Sequence, residues 1–326
     1  MHFQRRQVLS GALALSAARP ISVLAQSLPL ARILCGFPAG GTADATARRL
    51  AEVWRGQLAE NVLVENRAGA GGRIAINALK EAPADGATLL LSPDSMMSIY
   101  PSVYRKLSYE PATDVTAISA ISRFTFALGV GPSAPPSVKT LADFVAWVKA
   151  NPEKAAYGSP AAGSMPHFLA DQFFRAIGVP ARHAPYRGSA PALQDLVGGH
   201  ILCVMTPVGD FLPFKDAAGL RMLAVANAQR TRFMPDVPTF AEQSFPHIAG
   251  VETYGVFLPG KASPALISKI ESLVRAAAAN SDVVDTLARA GMEATSGSSE
   301  EYRSYIARER ASWAPIVSAS GFSSDE

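Results

Sequence analysis

Arg32-Ile33-Leu34-Cys35-Gly36-Phe37-Pro38-Ala39-Gly40-Gly41-Thr42 is the stretch that decides the fold. Residues 32–37 read as a strand and residues 38–41 as a turn. From Thr42 the apolar spacing changes to every third or fourth position, with Ala47, Leu50, Trp54 and Leu58 on one helical face. A strand, a glycine turn and an amphipathic helix are the repeating unit of an α/β sheet with crossover helices.

The unit recurs along the chain. Val62-Leu63-Val64 is the next strand, followed by a loop over residues 66–72 and a short helix carrying Ile74, Ala78 and Leu79. Residues 88–91 form a third strand, broken by Ser92-Pro93-Asp94-Ser95. A further apolar strand over residues 124–130 leads into Gly131-Pro132-Ser133-Ala134-Pro135-Pro136, a proline-stiffened connector into a second domain. There Leu141, Phe144, Val145 and Val148 stripe one helix, and Phe168, Leu169, Phe173 and Ile177 stripe another. Strands are expected at Tyr157-Gly158-Ser159, at residues 201–205 and at residues 220–226, and a strand over residues 254–258 returns to the first domain. Three helices close the chain. Ser263-Pro264 opens one, Gly291 ends the second, and Ser298-Ser299-Glu300-Glu301 is a capping box for the last.

The chain has 326 residues, of which 48% are hydrophobic and 17% charged, enough for two globular domains with full cores. Its net charge of +3 is carried by the first 25 residues. Arg5 and Arg6 precede an apolar stretch over residues 8–18, and Val23-Leu24-Ala25 ends in a small residue, the pattern of a cleaved secretory leader. A start near Gln26 leaves 27 basic residues against 27 acidic ones, with no basic stripe for nucleic acid. The expected location is the periplasm, reached by the general secretory (Sec) route, although Arg5-Arg6 also permits a twin-arginine (Tat) reading. The expected division is a signal peptide over residues 1–25, domain 1 over residues 26–126 and 251–326, and domain 2 over residues 127–250.

Chemistry is expected at the strand-to-helix turns. Free N–H groups and the helix dipole at the start of the helix from Thr42 make an anion site, and Gly40 and Gly41 let a ligand approach. The same glycines also fit a plain tight turn, and Asp44 either stabilises the helix start or meets a ligand. No Lys follows the glycines, which argues against a nucleotide P-loop. Ser164-Met165-Pro166 and Ser189-Ala190-Pro191, each after a glycine (Gly163, Gly188), place a capping Ser at two more helix starts. His167 reads as a pocket-edge residue or a surface helix residue. Ser164, His167 and Asp171 lie in a row on one helix and do not converge as a catalytic triad would. The five histidines are scattered, so no metal or other cofactor is expected. Cys35 and Cys203 sit in apolar runs of different domains and read as buried free thiols.

Five strings carry a family resemblance: the one from Phe37 to Asp44 with Ala47-Arg48, the one from Val64 to Gly72, the one from Ala84 to Leu90, the one from Pro185 to Ala192, and Pro235-Asp236-Val237-Pro238-Thr239. Together they resemble the Bug/TctC family of periplasmic solute receptors of tripartite tricarboxylate transporters, over essentially all of the mature chain. The resemblance implies a type II periplasmic-binding-protein fold, two α/β domains closing like a flytrap over a small carboxylate held by backbone amides. It implies no enzymatic activity and a membrane permease as partner to a monomeric receptor, with no nucleic acid involved. It places ligand contacts at Phe37, Ala39, Gly40, Gly41, Thr42 and Asp44, and at Ser92 and Ser95. In the second domain it places them at Ser159, Ala161, Gly163, Ser164 and His167, and at Tyr186, Gly188, Ser189 and Ala190. Two rival readings stand beside it: a hydrolase-like enzyme on this fold using Ser164 and His167, and a sensory receptor reporting to a membrane kinase.

Overall fold

The computed structural model describes residues 28–324. β1 (Leu28–Cys35) leads into α1 (Thr42–Trp54), β2 (Ala59–Asn66) into α2 (Arg73–Lys80), and β3 (Thr88–Pro93) into two single turns, α3 (Ser95–Ser98) and α4 (Tyr100–Val103). β4 (Val115–Val130) is followed by α5 (Leu141–Ala150), β5 (Ala156–Ser159), α6 (Met165–Ala176), β6 (Arg182–Pro185) and α7 (Ser189–Val197). β7 (Cys203–Pro207) runs into the short α8 (Val208–Phe211) and then β8 (Arg221–Val225). β9 (Val251–Pro259), α9 (Pro264–Ala279), α10 (Ser281–Arg289), β10 (Glu293–Ala294) and α11 (Ser299–Ser320) complete the fold.

The strand order is β2-β1-β3-β9-β4-β7-β5-β6. The first half is parallel where helices cross over, β2-β1-β3, and antiparallel where β9 inserts between β3 and β4. The second half repeats the plan, with β7-β5-β6 parallel and β4 antiparallel to β7 on one side and β8 on the other. The α1 stripe does what its spacing predicts: Ala47, Leu50 and Trp54 are at most 1% exposed. Each large apolar side chain buried this way contributes about 1.5–3 kcal/mol. Cys35 lies in β1 and Cys203 in β7, both buried and free.

β4 is longer than its sequence suggests. The apolar run from Phe124 is only its second part, and the first part, with Ser119, Ser122 and Arg123, lies beside β9. β4 pairs with β9 from Val115 as far as Thr125, and with β7 from Phe126 to Val130. At that change of partner, the Thr125 hydroxyl donates to the carbonyls of Ala226 (2.7 Å) and Gly250 (3.0 Å), tying both chain crossings together. Tertiary pairing, which no local window reports, supplies the partners that make the polar first part a strand.

Among the helix starts, Ser263 and Ser298 cap as expected, Ser298 in a capping box with Glu301. Ser164 and Ser189 do not. The Ser164 hydroxyl donates instead to the Ala161 carbonyl at 2.7 Å. Gly188, at φ +112°, takes the cap position before α7, so Ser189 becomes its first residue.

At the β3–β9 seam, two acids are buried together. Asp94 Oδ1 accepts from the amide and the hydroxyl of Thr253, both at 2.7 Å, and the Ser95 amide donates to Glu252 Oε1 at 3.3 Å. Burial pushes both carboxyls up, to about 7 for Asp94 and about 8 for Glu252. The Asp94 charge adds to the rise at Glu252, and Glu309 adds to that at Asp94. Because the folded state holds these protons more tightly than an unfolded carboxylate near 4, the stability they confer is full at low pH. It is lost progressively as pH rises from about 4 to 7–8 and changes no further above that. The melting temperature is therefore expected to fall between pH 4 and pH 8, with a flatter profile in Asp94→Asn. Identical profiles in a thermal-melt series would exclude the seam as the cause.

Candidate ligand cleft

Two small cavities lie between the halves, at the carboxyl ends of their strands, where open α/β sheets bind ligands. The larger, about 40 Å³, is walled by Phe37, Met96, Phe124, Phe126, Glu252 and Tyr254, and reaches Ser95, Ala161, Ser164 and Ser189. The smaller, about 20 Å³, is bounded by Gly41, Thr42, Gly188, Ser189, Ala190 and Asp210. Phe37, Ser189 and Tyr254 border both. The starts of α1, α6 and α7 thus meet at one place, although α1 comes from the first half and the other two from the second.

A much larger groove, about 770 Å³, opens to solvent between α11 and the strands β4 and β9. Arg123 and Thr253 face it, whereas their neighbours Phe124, Glu252 and Tyr254 face the cleft. Alternate side chains of a strand point to opposite faces, so the groove lies behind the strands that wall the cleft. Its size does not make it the better ligand site: the strand-to-helix turn that borders it, residues 295–298 before α11, already has its amides met by the Ser298–Glu301 capping box.

The α1 start holds anions of the protein's own. Asp210, on α8, accepts from the Thr42 amide at 3.0 Å, and Asp44 accepts from the Gly40 amide at 3.1 Å. α8 comes this close because Gly209 has no side chain; a Cβ there would lie 1.8 Å from the Ala290 carbonyl oxygen. Burial raises the Asp210 carboxyl, and bonds from Ser189 and Thr42 offset part of that rise. Burial acts on Asp44 in the same direction, but bonds from Arg48, Asn66 and Gly40 outweigh it and hold this carboxyl below its usual range. Asp44 is thus occupied by its own neighbours.

The remaining expected contacts divide. Ala39 and Gly40 are exposed and line neither cavity. Ser92 is buried, its hydroxyl directed to the Pro93 carbonyl. Tyr186 donates to Asp195 at 2.9 Å, also outside both linings. Ser159, Gly163 and His167 support the α6 turn from behind. The Gly163 amide donates to His167 Nδ1 at 3.0 Å, and Ser159 meets His183 Nε2 at 2.8 Å. His167 and His183 stack with ring centres 3.9 Å apart, next to Tyr157. Burial lowers both histidines, to about 3 for His167, where His183 adds, and to about 4 for His183. At neutral pH they are packing groups without charge. With the Ser164 hydroxyl on Ala161 and His167 Nδ1 on Gly163, no base addresses Ser164.

Sequence reasoning missed Phe124, Phe126, Asp210, Glu252 and Tyr254 as wall residues. The aromatic alternation Phe124-Thr125-Phe126 was a usable signal for a strand face. Asp210 follows Pro207 in a single helical turn with no periodicity to read, and Glu252 looks like a solvent-facing charge. Among the described residues, no group of three or more His, Cys, Asp or Glu is placed to hold a metal ion.

Comparison with known proteins agrees with this geometry. Residues 46–322 match the model of the tripartite tricarboxylate transporter family receptor, TctC. Protein BugT of Bordetella pertussis is 30% identical over 305 residues, 93% of each chain. The solved structure of R. palustris Rpa4515 with adipate superposes with a TM-score of 0.85 at 28% identity, covering 90% of this chain and 98% of its own. Periplasmic binding protein BugD superposes with a TM-score of 0.83 at 25% identity, covering 90% and 98%. With its family model, its relatives and its α/β architecture in agreement, the chain belongs to the Bug/TctC family of tripartite tricarboxylate transporter receptors, on the periplasmic-binding-protein fold.

Proposed function

We propose that this protein is an exported receptor that closes two α/β domains over a small carboxylate and delivers it to the membrane permease of a tripartite tricarboxylate transporter. The observation that carries this reading is the meeting of three helix starts at two adjoining cavities between the halves. Amides at a helix start and the positive end of its dipole favour an anion. The apolar rings around the larger cavity suit a short carbon chain. The adipate in the Rpa4515 structure, a relative with the same architecture, supports the ligand class. In this reading the hinge lies where β4 changes partner and where β9 begins, so residues 127–250 move against residues 26–126 and 251–326. The leader, residues 1–25, lies outside the described residues; its removal on export by the Sec route belongs to the same proposal, as does action as a monomer in the periplasm. The engagement of Ser164 and His167 by backbone groups favours capture over hydrolysis.

Because α1 and the pair α6 and α7 belong to different halves, ligand should draw the halves together. Small-angle scattering of the mature protein should show compaction when adipate is added to saturation. An unchanged profile at saturation verified by calorimetry would rule out closure.

Backbone amides and side chains should also differ in weight. Gly41 has φ −90° and ψ 174°, an extended backbone open to any residue, and its Cβ position points toward Asp210 Oδ1 at 3.9 Å. Gly41→Leu should fill the smaller cavity and abolish calorimetrically detectable adipate binding while circular dichroism stays unchanged. Ser164→Ala should weaken binding about tenfold or less, the worth of one neutral hydrogen bond. The reverse ranking would mean that side chains, not amides, lead the site.

A further inference from the structure

Where β3 ends and β9 begins, two carboxyls each reach across to the other strand's next residue. Asp94 Oδ1 accepts from the Thr253 amide, and Glu252 Oε1 accepts from the Ser95 amide. Asp94 is 0% exposed, with Oδ2 buried and without a hydrogen-bond partner, and Glu252 is 3% exposed. Glu252 enters the wall of the larger cavity among Phe37, Phe124 and Phe126, and the same cavity reaches Ser164 and Ser189 at the starts of α6 and α7. Among the described residues, no Lys, Arg or His lines either cavity. An ionised Glu252 would repel a carboxylate held at those helix starts, with no cation between them to offset the repulsion. A protonated Glu252 is instead a hydrogen-bond donor set in an apolar wall.

We propose that Glu252 takes part in capture as a neutral acid, donating its proton in a hydrogen bond to the solute's carboxylate, so that capture is coupled to proton uptake. The inference rests on the reading of the cleft as a carboxylate site and adds the regulation of that site. A hydroxyl that donates to a carboxylate makes a short bond, about twice as strong as one between neutral groups. Glu252 is thereby a ligand contact on the first half, while the starts of α6 and α7, neither with a side-chain cap, supply contacts on the second.

The protons are held unequally. Burial raises both carboxyls, and the Asp94 charge adds to the rise at Glu252, which reaches about 8 against about 7 for Asp94. The titratable groups facing Glu252 are Asp94 after β3, Glu309 on α11, and the phenols of Tyr100, Tyr254, Tyr302 and Tyr305. From the second half, uncharged residues alone line this cavity. A bound carboxylate adds another negative charge and a partner for the protonated form, and both raise Glu252 further. The complex therefore holds the proton more tightly than the free receptor. Affinity falls as pH rises through 8, approaching tenfold per pH unit, about one proton per solute.

The test is calorimetric titration of the mature protein with adipate from pH 7 to pH 9.5, where adipate stays fully ionised. Runs in two buffers of different ionisation enthalpy count the protons exchanged. The expected result is weaker binding toward pH 9.5, with net proton uptake above pH 8. Glu252→Gln, which keeps a neutral donor, should bind with an affinity independent of pH and without proton uptake. At pH 7, Glu252→Ala should bind about tenfold or more weaker than Glu252→Gln. Asp94→Asn removes the charge beside Glu252, so it should keep the uptake and move its onset to lower pH. If the Glu252 variants fail to fold, infrared difference spectra of protein with carbon-13-labelled glutamate side chains decide the matter, because the adipate complex at pH 8.5 should gain a protonated glutamate band. An affinity of the native protein that does not change with pH, proton uptake that persists in Glu252→Gln, or absence of that band overturns the inference and leaves the carboxylate reading standing. Failure of adipate and of shorter and longer dicarboxylates to bind at any of these pH values overturns both.

Discussion

Along β4 the backbone hydrogen bonds go to β9 as far as Thr125 and to β7 from Phe126 onward, so one unbroken strand carries both halves of the molecule. Strand alternation then fixes what each face of the crossing can be. Phe124 and Phe126 point into the cleft, with Arg123 behind, and on β9 Glu252 and Tyr254 point in while Thr253 points out. The residues that wall the cleft are therefore the ones that would twist if the halves moved. The Thr125 hydroxyl, bonded to Ala226 and Gly250, ties this crossing by hydrogen bonds behind the Phe124–Tyr254 ring contact. A hydrogen-bonded pivot of this kind changes geometry more gradually than a packed core, whose side chains interlock.

Much of this was written in local sequence. The unit from Arg32 through the α1 stripe gave the parallel sheet, because strand, glycine turn and helix each have their own spacing. The caps at Ser263 and Ser298 were legible for the same reason: both residues needed for each cap lie within one turn. The Phe37-to-Thr42 turn and the starts of α6 and α7 marked the cleft from glycine and proline chemistry alone. The illegible parts depend on partners far away in the chain. Ser164 fits the capping pattern, yet Ala161 outcompetes the helix amides for its hydroxyl, a choice made by the shape of the preceding turn. Val251-Glu252-Thr253-Tyr254 offers the sharpest example. A reader of polarity would turn Glu252 to solvent and Val251 inward, but Val251 is 42% exposed and Glu252 3%. Register set by β3 and β4 overrides that preference. Positions where burial contradicts polarity are where function concentrates.

The own anions of the cleft give its two sides different characters. At the α1 start, the Thr42 and Gly40 amides already meet Asp210 and Asp44, so much of that terminus's pull on a further anion is spent within the protein. Asp210 and Thr42 belong to opposite halves, which makes their bond a link that exists only while the halves stand together. A solute carboxylate entering the smaller cavity would meet Asp210 as a like charge or displace it from Thr42, and either outcome alters that link. The α6 and α7 starts carry no such side-chain anion and lie in one half, so an anion bound there leaves the link intact. Binding in the second half, followed by re-formation of the Asp210–Thr42 bond, is the order of events that asks no like charges to meet.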